Sequence, residues 1–115
     1  MSLTQKTCEP CRGGIPPLNS VEAQAFLKQT PRWSLIDTDT KLSRTFKTAD
    51  FASALEFVNA IGTLAETEGH HPDITFGWGY CSVVLYTHKI KGLHENDYIM
   101  AAKISELAEA RSLDN

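Results

Sequence analysis

The sequence has few cysteines, little excess charge and no long apolar run. Three cysteines in 115 residues are too few for a disulfide-stapled scaffold. With no export signal beside them, they point to a reducing cytoplasm. Eleven basic residues stand against 14 acidic ones, a net charge of −3, so no basic field exists to wrap nucleic acid. No apolar stretch approaches the ~20 residues of a membrane span, and residues 1–10 lack the apolar centre of a secretory signal. Internal repeats, low-complexity runs and phosphate-cradling glycine motifs of the GxGxxG kind are also missing. What remains is ordinary globular composition, 42% hydrophobic and 22% charged. That suits one domain burying roughly two-thirds of its unfolded surface.

Residues 1–18 contain Pro10, Gly13, Gly14, Pro16 and Pro17 without hydrophobic periodicity, and are expected to form a flexible or loosely docked tail ahead of a single domain over 19–112. Cys8-Glu9-Pro10-Cys11 has the spacing of half a zinc site or a redox pair, but no second ligand pair follows and no strand precedes it. The simpler reading is a reduced tail.

Asn19 or Ser20 is a good cap for a short helix over Val21–Gln29, which Pro31 ends. Trp33–Ile36 and Lys41–Phe46 read as strands joined by the turn-rich Asp37-Thr38-Asp39-Thr40, with Leu42 and Phe46 on one face. A long helix is expected over Ala49–Glu68, capped by Thr48, with an apolar stripe of Phe51, Leu55, Val58, Ile61, Leu64 and Ala65. Gly69 fits the position just past its end. Asp73–Trp78 and Tyr80–His88 form a hairpin through Gly79, with Cys81, Val83, Leu85 and Thr87 on one side. Glu95–Arg111 closes the chain as a helix. The order α-β-β-α-β-β-α implies an α+β fold: a four-stranded antiparallel sheet with three helices packed on one face.

Three of the four histidines converge by topology. His70 and His71 follow the long helix, and His88 ends the last strand, whose hairpin returns near its own start. Glu66 precedes His70 by four residues, which would place both on one helical face. Three readings fit this inventory. Adjacent histidines before Pro72 suit a polar surface turn, three histidines with a carboxylate suit zinc, and paired histidines suit metal-free acid–base catalysis. The local residues do not choose among them.

The extended pattern does. Glu66-x3-His70-His71-Pro72-x5-Trp78-x9-His88-x8-Asp97 fills 32 residues, and closely resembles the signature of the pterin-4a-carbinolamine dehydratases. Phe57-Val58-Asn59, Ala65-Glu66, Thr87-His88 and Gly92-Leu93 before Asn96-Asp97 resemble that family too, and the likeness runs over about residues 18–107. The Cys8–Cys11 segment followed by Pro16-Pro17-Leu18 is similar to the bacterial branch that accompanies phenylalanine hydroxylase. One departure is visible: many members carry Ser or Thr after Gly-Leu as a helix cap, and here that residue is His94, a poorer cap that throws more weight on Asp97.

The resemblance implies conversion of a 4a-hydroxytetrahydropterin to quinonoid dihydropterin plus water, in tetrahydrobiopterin recycling. That elimination needs no cofactor and no metal, only a proton for the departing hydroxyl and a base for the ring-nitrogen proton. It also implies His70 and His88 as the acid/base pair and His71 as a substrate-binding and orienting group that shares the catalytic base duty. Glu66 and Asp97 would support the histidines as catalytic carboxylates, and Trp78 would contact substrate, although hairpin packing is its simpler role. Implied partners are a pterin, functional coupling to phenylalanine hydroxylase, and further copies of the chain in a homodimer or homotetramer. Neither nucleic acid nor membrane is implied. Two alternatives stand beside this: a dimerisation or coactivator module, as in animal members, and an enzyme of molybdopterin handling.

Overall fold

The computed structural model describes residues 2–10 and 13–113, and its elements follow the expected order. They are α1 (Ser20–Leu27), β1 (Ser34–Ile36), β2 (Lys41–Lys47), α2 (Phe51–Glu68), β3 (Asp73–Gly77), β4 (Tyr80–Leu85) and α3 (Glu95–Ala110). The strands form one antiparallel sheet in the order β1-β2-β4-β3. Among the described residues, no helix is long and apolar enough to cross a membrane.

Alternation along the two central strands sets the inner face. Leu42, Phe46, Cys81, Val83 and Leu85 are fully buried there, facing the helices. Phe46 meets Phe57 of α2 edge-on with ring centroids 5.0 Å apart. Arg44 lies on this same buried face, its guanidinium 4.3 Å above the Phe46 ring and its Nη1 donating to Ser105 of α3. The helix side of α1 is anchored by buried Ala23, whose carbonyl accepts from the Tyr98 hydroxyl at 2.9 Å.

Two details of α2 differ from the sequence reading. Its N-cap is Asp50, not Thr48: the Asp50 carboxylate accepts from the Ser53 N–H at 2.8 Å, while the Thr48 hydroxyl donates to the Asp50 carbonyl. Its buried seam is Ala54, Phe57, Ile61 and Ala65, whereas Phe51 and Leu55 remain 47% and 41% exposed. Ile61 and Ala65 of the expected stripe lie in that seam and Val58 and Leu64 pack partly buried against it, but in the first half of the helix Ala54 and Phe57 take the place expected of Phe51 and Leu55, about 60° round a 3.6-residue turn between positions 51 and 54. The end is as expected, with Gly69 in the left-handed region at φ 67°.

Strand β4 stops at Leu85, three residues before the expected end, and His88 opens a 3-10 turn over His88–Ile90. The N-terminal segment also differs from a loose tail. Residues 3–5 form a 3-10 turn, Leu3 is 4% exposed within the core, and the following residues run along α3.

Candidate functional site

Three local structures meet where α2 ends. Gly69 breaks the helix with its positive φ, so His70 turns inward and is 8% exposed, while His71 turns outward. The buried polar partner of His70 is Asp97, with Nε2 and Oδ1 2.6 Å apart. The sequence reading placed Glu66 against His70. Glu66 instead pairs with His71, Nε2 to Oε2 at 2.5 Å, through side chains that are 60% and 78% exposed. An ion pair so open to solvent contributes little stability, so its value lies in holding the ring.

Asp97 is the hub. It sits in the first turn of α3, completely buried, and its other oxygen accepts both the Thr87 hydroxyl at 2.8 Å and the His94 backbone N–H at 2.9 Å. His94 caps α3 after all: its Nδ1 accepts the Asn96 N–H at 3.0 Å, and Asp97 answers as the other half of a capping box. An ionised carboxylate only accepts, and a helix N-terminus favours a negative charge. The Asp97 carboxylate therefore requires a proton on His70 Nε2. That leaves Nδ1 as the nitrogen able to take or give a proton.

Thr87 fixes the turn that follows β4. Its N–H donates to the Gly92 carbonyl at 2.8 Å, closing a short loop that carries His88. Gly92 must lack a side chain, because a Cβ there would stand 2.5 Å from Pro17. His88 is exposed, its ring 4.1 Å from that of Tyr86, and it leaves the backbone one residue from the group that holds Asp97. His70, His71, His88, Glu66 and Asp97 thus share one end of the molecule. Trp78 does not join them within the chain. It is 73% exposed in the β3–β4 turn rather than packed in the hairpin, about 17 Å along the strand from Asp73. Among the described residues, no group of three His, Cys, Asp or Glu side chains converges as metal ligands would.

The N-terminal segment supports the same helix end. Glu9 and Asn96 exchange two hydrogen bonds, Glu9 N–H to Oδ1 at 3.0 Å and Nδ2 to the Glu9 carbonyl at 2.7 Å. Lys6 pairs with Glu95, and the Cys8 N–H donates to Glu68 at 2.8 Å. Burial works against the Glu68 charge, but the Cys8 N–H and Lys103 hold its carboxyl below the usual range. Burial first, then the Glu68 charge, pushes the Cys8 thiol up to about 12. Cys11, the other half of the CxxC pair, lies outside the described residues. Thr87 and Asn96 stand in the family-like stretches but were given no role by the spacing; the structure places Thr87 on Asp97 and Asn96 on Glu9. Thr87 had a signal, a polar residue continuing the buried alternation of Cys81, Val83 and Leu85.

An open antiparallel sheet backed by helices, with a buried carboxylate holding one of a pair of adjacent histidines, is an arrangement able to move protons. The family described as Pterin 4 alpha carbinolamine dehydratase matches residues 16–107. The chain is 61% identical over 107 residues to a Methylococcus capsulatus protein named "Putative pterin-4-alpha-carbinolamine dehydratase", covering 93% of this chain and 94% of that one. It is 58% identical over 106 residues to a Cupriavidus pinatubonensis protein named "Putative pterin-4-alpha-carbinolamine dehydratase 1", covering 92% and 91%. Among solved structures it is similar to a transcriptional coactivator/pterin dehydratase from Brucella melitensis, with TM-score 0.75 and 30% identity over 80% of this chain and 98% of that one. It also resembles a pterin dehydratase-like protein identified as a RuBisCO assembly factor in the alpha-carboxysome, with TM-score 0.58 and 27% identity, covering 66% and 88%. The chain belongs to the pterin-4-alpha-carbinolamine dehydratase family.

Proposed function

We propose that this protein dehydrates a 4a-hydroxytetrahydropterin to the quinonoid dihydropterin by histidine acid–base catalysis. The bond that breaks joins C4a to its hydroxyl oxygen, which leaves as water after taking a proton. The neighbouring ring nitrogen loses its proton and its electron pair forms the new double bond to C4a. No oxidation state changes, so two proton transfers suffice. The observation that carries the reading is the buried 2.6 Å pair of His70 and Asp97. With Nε2 committed to the carboxylate, Nδ1 of His70 works as acid when protonated and as base when not. His88 approaches from the turn after β4, a different direction, and serves as the second acid. His71, tied to Glu66, binds and orients the pterin. A cytoplasmic homo-oligomer recycling the pterin of phenylalanine hydroxylase is the setting this reading fits.

The test is steady-state kinetics in a hydroxylase-coupled assay, with folding checked by circular dichroism. His70→Ala and His88→Ala should each leave measurable turnover, and the double variant should fall by the 10²–10⁴-fold typical of a lost general acid or base, about the limit of what either group supplies. His71→Ala should mainly raise KM. Turnover should survive exhaustive dialysis against chelator. Pterin binding without any turnover would favour a binding module instead.

A further inference from the structure

Each of the three histidines has a neighbour that fixes its ring, and the neighbours differ. His70 is held by the buried Asp97 and His71 by the exposed Glu66, both through hydrogen bonds to carboxylates. His88 lies instead against an aromatic ring: the centroids of His88 and Tyr86 are 4.1 Å apart, with their planes inclined at 44°. Ring contact at that separation restricts the imidazole without engaging either of its nitrogens. A general acid on an exposed turn needs that combination, a fixed direction and an uncommitted N–H.

Tyr86 is built to be a fixed surface. Leu85 before it is fully buried and sits opposite Leu42 at the end of the β2–β4 ladder, and Thr87 after it is tied to Asp97 and to Gly92. The tyrosine backbone is therefore held from both sides. Leu85 and Thr87 are buried on the helix side, so alternation turns the half-buried Tyr86 ring to the other face of the sheet. There the same register continues to Lys41 on β2. Lys41 Nζ stands 4.7 Å from the centroid of the Tyr86 ring, and the Asp37 carboxylate holds that ammonium at 3.1 Å. Asp37, Lys41, Tyr86 and His88 form a row of contacts that runs from the β1–β2 turn to the histidine end.

We propose that Tyr86 is a positioning residue for the dehydration: its ring, steadied by Lys41, holds His88 in the direction from which the imidazole protonates the departing hydroxyl. The proposal rests on the role given to His88 above. One imidazole N–H bond breaks, one O–H bond forms and water leaves, while the tyrosine exchanges no proton. A bare phenyl ring should therefore serve as well as the phenol.

The redundancy of the two acids supplies the test. In the His70→Ala chain turnover depends on His88. There Tyr86→Thr, which suits an extended backbone, should lower kcat about three- to tenfold with KM unchanged, the range by which an aromatic pair favours one side-chain position. Tyr86→Phe should leave that chain's kcat intact. The loss should vanish in the His88→Ala chain, where no imidazole remains to be held. A second readout does not depend on activity. The His88 ring C–H resonances, identified by their disappearance in His88→Ala, should move in Tyr86→Thr and stay in place in Tyr86→Phe. Resonances that ignore Tyr86→Thr overturn the contact. An equal loss of kcat in the His70→Ala and His88→Ala chains makes Tyr86 a part of the strand alone and overturns its positioning role. Resonances that move as expected in a protein whose wild type turns over no reduced pterin overturn that role together with the dehydratase reading, and leave the ring contact standing.

Discussion

Replacing Thr87 by Val removes one hydroxyl and almost no volume, and it isolates what holds Asp97. The carboxylate is wholly buried and accepts three donors, from His70, Thr87 and the His94 backbone. A hydrogen bond to a charged group contributes about 1.5–3 kcal/mol, and here no water can take the vacated place on a fully buried oxygen. The Oδ2 atom keeps the His94 N–H, so the lower half of that range applies, about 1.5–2 kcal/mol. Urea denaturation of Thr87→Val should therefore show a lowered midpoint with the slope unchanged. Thr87→Ser, which keeps the hydroxyl, should recover most of the loss. Turnover should fall through kcat more than KM, because Thr87 acts on His70 only through Asp97. A midpoint within error of wild type, or a Ser variant as unstable as the Val variant, would refute the hub described here.

Asp97→Asn keeps the shape but turns an N–H₂ donor toward His70 or toward Thr87 and His94, so kcat should drop by about 10²–10⁴-fold while the fold persists. Burial pushes the Cys81 thiol up to about 11 and the Cys8 thiol to about 12, so in a Cys11→Ser protein neither should react with a thiol reagent at pH 8 until denaturant is added. Gly92→Ala forces its new Cβ against Pro17 and should cost about 1–3 kcal/mol in thermal unfolding, with the loss shared by the His88 turn. Because the Glu68 carboxyl is held below its ordinary value of 4.5, its contribution is fully present above that pH and disappears as pH falls through the lower folded value. The stability difference between wild type and Glu68→Gln should narrow correspondingly in acid, as urea midpoints from pH 6 to 3 would show.

The order of elements, the sheet and several caps were legible because each rests on local signals. Asn19, one of the two expected caps, does cap α1 and exchanges hydrogen bonds with Glu22, and Gly69 ends α2 in the conformation only a glycine adopts cheaply. The pairing within the site was not legible, and Gly69 is the reason. A helical spacing of four joins Glu66 to His70 only while the helix continues, and the left-handed residue between them swings His70 to α3 and leaves His71 for Glu66. Only the first half of the α2 face differs from the expected stripe, because Phe51 and Leu55 are as apolar as Ala54 and Phe57 and periodicity does not say which pair meets the sheet. The N-terminal segment docks through the buried Leu3 side chain, the Lys6–Glu95 pair and backbone groups of Cys8 and Glu9, contacts too few and too irregular to make a period in the sequence.

Asp97 carries two duties with one carboxylate, since the oxygen that closes the cap of α3 belongs to the group that orients His70. At most enzyme centres, residues kept for chemistry cost stability, and a search for hardier variants discards them first. Here that conflict is absent at the central position. A replacement that removes both oxygens, such as Asp97→Ala, releases His70 and frays the first turn of the last helix together. Selection for folding alone therefore protects a carboxylate that the proposed chemistry needs. A lineage in which the activity fell out of use would keep this aspartate long after its exposed histidines had drifted.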